Sequence, residues 1–204
     1  MGQQLTFNQI LAAIENQILV GKTYLQIANG LLAIVGEWDV FGVAPTFFGL
    51  TAQGNLETAQ MVIAKLYDRG DKAVTIKAML FRAARQVGDF QCGDVQQVNA
   101  AILRAVQRII ALQPLLDAIR IRRNKWLAHL DEATVRDPAA LTASANLTRE
   151  DLDRVFGETE SIYSEIERLF DGTVGKIRFL GGDDHQSLLK HVRLATAAKK
   201  KAMP

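Results

Sequence analysis

The step at which apolar residues recur constrains this chain more than any other feature. From Phe7 onward, Ile10, Leu11, Ile14, Ile18, Leu25, Leu32 and Val35 mark one helix face at steps of mostly three and four residues, enough for one or two helices. Phe47, Phe48, Leu50, Ala59, Val62, Ile63 and Leu66 continue the pattern in a second helix, which Asp68-Arg69-Gly70-Asp71 ends. A third helix is expected from about Thr75 to Val87, and Val98, Ile102, Leu103, Val106, Ile109, Ile110 and Leu112 mark a long fourth. Period-two alternation is confined to Lys176-Ile177-Arg178-Phe179. Helices with one apolar face bury it on one another, so the expected fold is an all-α, single-domain bundle of about six to seven helices.

The interruptions set the expected boundaries. The stretch from Trp38 to Thr46 mixes aromatic residues, glycine and proline without helical period, and reads as a loop with buried anchors. Proline costs about 3 kcal/mol in a helix interior, so Pro114 is expected to start a new helix, or kink the old one, with the pattern running on to about Asp131. Thr148-Arg149-Glu150-Asp151 resembles a capping box with aspartate in the usual Glu position, opening a helix to about Phe170. Leu188, Leu189, Val192 and Leu194 support a last short helix before a frayed tail at Lys199-Lys200-Lys201. Residues 1–174 are read as the bundle and 175–204 as the C-terminal short helix and basic tail.

With 204 residues, 49% hydrophobic and 23% charged, the chain has the composition of a folded globular protein. Its net charge of +2 is too small for general polyanion affinity, so any argument for nucleic acid must rest on where the charge sits. Cys92 is the only cysteine, which excludes an internal disulfide and fits a reducing compartment. Lys22, Gln26, Asn29 and Glu37 break the apolar N-terminal segment, and the start lacks the pattern of a secretory signal, so no membrane span and a cytoplasmic location are expected.

Several short motifs fail. Gly21-Lys22-Thr23 resembles the end of a phosphate-binding loop, but Asn16 stands where its first glycine belongs. Met1-Gly2-Gln3-Gln4-Leu5-Thr6 fits a myristoylation acceptor, a pattern too short to carry an assignment, and Asn146-Leu147-Thr148 fits a glycosylation acceptor, which without an export signal would not meet the machinery. His185 and His191, near Asp183 and Asp184, lack the one-turn spacing of metal ligands and read as surface histidines. No metal and no cofactor are expected.

One pattern survives. Between Gln96 and Leu130 the basic residues are Arg104, Arg108, Arg120, Arg122, Arg123 and Lys125, while Asp117 is the only acid. Most of them crowd into Arg120-Ile121-Arg122-Arg123-Asn124-Lys125, directly before Trp126 and His129, the kind of footprint a phosphate backbone selects. On an ideal helix Leu115, Ile119, Trp126 and Leu130 form an apolar stripe with Arg122 and Arg123 near its margins, and Trp126 reads as core or dimer interface. His129 falls about 20° from Arg122 and about 120° from Arg123. A histidine can exchange a proton near neutral pH while arginine holds a phosphate, which suffices to cut RNA through the ribose 2′-hydroxyl without a metal.

Arg123-Asn124 with His129 resembles the signature of the HEPN superfamily, an arginine with a polar neighbour and a histidine a few positions later. The longer string Arg123-Asn124-Lys125-Trp126-Leu127-Ala128-His129-Leu130-Asp131 is similar to the AbiU-like abortive-infection branch, as are Phe48-Gly49-Leu50, Leu66-Tyr67-Asp68 and Leu147-Thr148. The resemblance implies a helical bundle that dimerises, with the motif helices of two copies facing across one RNA-cleaving cleft, and a defence or toxin role that an antitoxin protein would restrain. It implies that Arg123 grips or polarises the phosphate, Asn124 orients Arg123 or the substrate and His129 is the acid or base, with Arg120, Arg122 and Lys125 as substrate-binding residues. Arg122, nearer His129 on an ideal helix, is the alternative working arginine. Asp131 stands where another branch keeps a tyrosine, so regulation through that tyrosine is not expected.

Three readings follow. The first is a metal-independent endoribonuclease with a composite site in a homodimer. The second is an inactive module that binds RNA, a nucleotide or a protein through the same helix. In the third, the arginines pair with Glu158, Glu160, Glu165 and Glu167 of the next helix and need no ligand.

Overall fold

A computed structural model describes residues 5–70, 73–127, 136–137, 139, 143, 145–173 and 184–202, the side chains of residues 126 and 127 excepted. Among the described residues there are seven α-helices and no strand: α1 (Phe7–Ala33), α2 (Trp38–Phe41), α3 (Pro45–Leu66), α4 (Ile76–Arg85), α5 (Val95–Arg122), α6 (Arg149–Asp171) and α7 (Asp184–Ala202). The all-α expectation therefore holds. The residues 176–179, which carried the brief strand-like alternation, lie outside the described residues.

Three helix starts are fixed by reciprocal capping boxes. Thr6 pairs with Gln9 before α1, Asp94 with Gln97 before α5, and Thr148 with Asp151 before α6, the last as the sequence predicts. Each cap satisfies amide N–H groups that a helix start leaves unpaired and is worth about 1 kcal/mol. Side chains then decide the packing. α1 lies against α3 and α6 and buries Ile14, Ile18 and Leu25, while α5 lays Val98, Leu112, Leu116 and Ile119 against the same core. At one end Phe7, Phe90 and Phe170 close the core, Phe170 edge to face with the other two rings, with ring centroids 4.8 to 5.7 Å apart. There the N–H groups of Gln91 and Cys92 donate to the carbonyls of Phe170 and Leu169, which ties the α4–α5 connection to the end of α6.

Four local expectations change. The proline at 114 starts no helix, because α5 continues through it. Pro114 is exposed, whereas Leu112, Leu116 and Ile119 around it are buried, and at about 1.5–3 kcal/mol per buried aliphatic side chain that face outweighs the proline. The stretch after α1 is a 3₁₀ turn (Ile34–Gly36) and the short α2, after which Pro45 occupies the first turn of α3. Val40 anchors it in a second core with Leu31, Ile34, Phe48 and Leu189, but Trp38 is 70% exposed and anchors nothing there.

The last helix is neither short nor frayed at its lysines, since α7 runs on to Ala202. Arg193 binds both carboxylate oxygens of Glu37, at 2.7 and 2.8 Å, and Lys200 pairs with Asp39. His185 is buried rather than on the surface: its ring lies over Gly30 of α1, where any β-carbon would overlap it. Finally, Phe7–Gly36 is long and apolar enough to cross a membrane by length and mean hydropathy, despite its polar interruptions. In the fold Ile14, Ile18 and Leu25 are buried, while 33% of the most apolar stretch as a whole is.

Candidate functional site

The C-terminal ends of α3 and α5 meet at one edge of the bundle, and the basic string of the sequence sits there. At Arg122 the α5 geometry changes: Arg123–Leu127 form a π-turn, with wider hydrogen-bonded rings than an α-helix. The ideal angles from Arg122 and Arg123 to His129 therefore do not apply, because 100° per residue stops at Arg122. Turns of this kind are frequent at functional sites. His129, Leu130 and Asp131 lie outside the described residues, as does the side chain of Trp126.

The end of α3 forms the opposite wall. The Tyr67 hydroxyl shares a 2.8 Å hydrogen bond with Thr159 of α6, and burial pushes it up to about 12, so it stays neutral and serves as an anchor. Next to it, Asp68 Oδ1 accepts from the backbone N–H groups of Arg69, at 2.6 Å, and Gly70, at 3.3 Å. That turn fixes where Arg69 leaves the chain. Between the walls lies a cleft of about 210 Å³ with Ile63, Leu116 and Ile119 in its floor and Asp68, Arg69, Arg120 and Arg123 at its rim.

The guanidinium groups are held unequally. Arg123 Nε donates to Asn124 Oδ1 at 3.0 Å, which orients the guanidinium plane and leaves Nη1 3.9 Å from Asp68 Oδ2. Arg120 binds Asp117 closely, and Arg69 approaches the same carboxylate at 3.8 Å. A hydrogen bond from Gln113, with the Arg120 and Arg69 charges beside it, holds the Asp117 carboxyl below the usual carboxylate range. Exposed pairs as long as those of Arg69 and Arg123 are worth about 0–1 kcal/mol and are easily exchanged. Arg122 is half-buried and Lys125 exposed, and neither forms an ion pair with an acid among the described residues.

The arrangement separates two groups that the sequence ran together. Arg104 donates to Glu165 at 2.6 and 3.0 Å, and Arg108 reaches Ser161 at 3.0 Å and Glu158 at 3.8 Å, so these arginines are satisfied by α6. Glu160 pairs instead with Lys22, and Glu167 accepts from the Tyr163 hydroxyl. Pairing with the next helix thus accounts for the upstream arginines and not for Arg120, Arg122, Arg123 or Lys125. The C-terminus of α3 also concentrates carbonyl dipoles at this edge, and nearby cations offset them by about 0.3–1 kcal/mol each. An anion bound here would depend on side chains alone.

Sequence reasoning missed Arg69 and the two carboxylates that hold the arginines. Arg69 was legible only as part of a helix stop, and Asp68 as that stop and as part of the Leu66-Tyr67-Asp68 likeness, because no periodicity links a turn after α3 to a helix end so far along the chain.

A family model described as AbiU2 (HEPN_AbiU2) matches residues 7–192, from the start of α1 into α7. The chain belongs to the AbiU2 family. No curated protein and no solved structure matches it. For this AbiU2 chain the family match and the all-α bundle agree, and Arg123 and Asn124 stand on the π-turn beside the cleft.

Proposed function

We propose that this AbiU2 protein is a metal-independent endoribonuclease of a defence or toxin–antitoxin type. Its active site is shared between two copies, whose motif helices face each other. The observation that carries the reading is Arg123, oriented through Nε by Asn124 and turned toward the cleft with only a long, exchangeable contact to Asp68.

Arg123 binds the scissile phosphate through its remaining N–H groups and offsets the negative charge that grows on the non-bridging oxygens of the phosphorane. His129 takes the proton of the ribose 2′-hydroxyl as that oxygen attacks the adjacent phosphorus. The bond from phosphorus to the 5′-oxygen breaks, and a protonated imidazole, supplied by His129 of the facing copy, gives that oxygen its proton. The products are a 2′,3′-cyclic phosphate and a 5′-hydroxyl. Arg120, Arg122 and Lys125 hold flanking phosphates, and an antitoxin that covers the cleft would silence the activity.

A second reading, an RNA-binding module without cleavage, draws on the carboxylates already beside Arg120 and Arg123. The two are separated by incubating a mixed RNA pool in excess EDTA with wild type, Arg123→Ala and His129→Ala, followed by end-group analysis. Cyclic phosphate ends from the wild type alone support the nuclease. Equal inactivity of all three, with RNA binding intact in the wild type, refutes it.

A further inference from the structure

The cleft has two walls, and the motif supplies only one. Arg120 and Arg123 belong to the α5 wall, while Arg69 stands opposite them on the turn after α3. Its side chain is 72% exposed, the most exposed of the three, and its guanidinium's only ion pair among the described residues is with Asp117, at 3.8 Å. Asp117 is meanwhile engaged at hydrogen-bonding distance by Arg120. Arg69 is therefore the least committed guanidinium of the cleft, on a backbone that the Asp68 carboxylate fixes at 2.6 Å.

We infer that Arg69 is a phosphate-binding residue of this site: it grips a phosphate neighbouring the one at Arg123, so that an RNA strand is held between the two walls. Asp117 is its competitor, occupying Arg69 and Arg120 until the strand arrives. The chemistry fits a phosphodiester because the planar guanidinium donates to two oxygens at once, and the rim already holds oxyanions on each arginine. Beneath the rim, Ile63, Leu116 and Ile119 are buried aliphatics, which lowers the local dielectric and strengthens charge contacts above them. With the carbonyl dipoles of the α3 end opposing an anion, a third cation facing the motif makes the edge more attractive to one.

The inference rests on RNA being the ligand of the cleft and not on its being cut. The probe is accordingly a fluorescent single-stranded oligoribonucleotide with every ribose 2′-O-methylated, which binds but cannot be cleaved. Its Kd is measured against KCl concentration for wild type, Arg69→Gln, Asp117→Asn, Arg123→Gln and Arg104→Gln. Arg69→Gln should weaken binding roughly five- to tenfold and reduce the salt slope by about 0.7, the loss of one single-strand phosphate contact. Asp117→Asn, which removes the competitor, should tighten binding about two- to threefold, and Arg104→Gln, whose partner is Glu165 away from the cleft, should leave it unchanged.

Wild-type Kd and slope in Arg69→Gln, beside weakened binding in Arg123→Gln, would overturn the role of Arg69 and leave the nuclease standing. The expected binding pattern without cleavage of natural RNA would support the role of Arg69 and sink the nuclease. Failure of the wild type to bind the probe would overturn both.

Discussion

Replacing Gly21 by alanine tests the close approach of α1, α3 and α6. Gly21 lies inside α1, and a β-carbon built on it would sit 2.5 Å from Phe156 Cε1 and 2.8 Å from Val62 Cγ1. Carbon atoms pack at about 3.5–4.0 Å, so the overlap is about 1 Å on two side chains that are themselves buried. Alanine should raise helix propensity by about 0.8–1.0 kcal/mol, and overpacking of a filled core costs about 1–3 kcal/mol before that gain is recovered. The site sits between two α-helices, and the phenyl ring of Phe156 cannot rotate away without displacing its neighbours, which places the cost at or above the top of that range. A net loss of about 2 kcal/mol or more is expected. Gly54, in the exposed middle of α3, has nothing within 4 Å of the place an alanine methyl would take, so Gly54→Ala should gain up to about 1 kcal/mol. Urea unfolding followed by circular dichroism reads both. If Gly21→Ala proved as stable as Gly54→Ala, the packing described for α1 would be wrong.

Two further substitutions probe the same fold. Pro114→Ala restores an N–H for the Ile110 carbonyl on the exposed side of α5, and should raise the urea midpoint by the equivalent of about 1–3 kcal/mol; a lower midpoint would contradict a continuous helix there. Burial, with the charges of Glu15 and Asp171 outweighing the Tyr163 hydrogen bond, holds the Glu167 carboxyl above its ordinary value. Its folded form therefore prefers the proton, so wild-type stability should fall as pH rises from about 4 through the elevated folded pKa. Glu167→Gln should be more stable than wild type at pH 7, by about 1 kcal/mol, and lose that advantage below about pH 4; an advantage independent of pH would contradict the assignment.

How much of this was legible beforehand depended on the range of the interaction. Helical period and caps are local, so α1, α3, α4, α5 and α6 could be read from spacing, and the Thr148–Asp151 box from four consecutive residues. Pro114 misled because its cost is local whereas the burial of Leu112, Leu116 and Ile119 that outweighs it is tertiary. α7 was underestimated for the same reason: Glu37 and Asp39, which hold Arg193 and Lys200, lie more than a hundred residues earlier. At the site, Arg123 and Asn124 were legible as a motif. The π-turn and the wall of Asp68 and Arg69 were not, since no apolar period marks the π-turn, which packs against α3, and the wall is a turn with no spacing relation to the motif.

The central claim is that the ribose 2′-hydroxyl attacks the phosphate held at Arg123. The most direct test is a single-turnover assay in EDTA with an oligoribonucleotide whose principal cleavage site has been mapped, compared with the same strand carrying one 2′-deoxyribose immediately 5′ to that phosphate. The account predicts that this single substitution abolishes cleavage at that bond and leaves binding unchanged. Cleavage of the deoxy-substituted bond at the natural rate would contradict it.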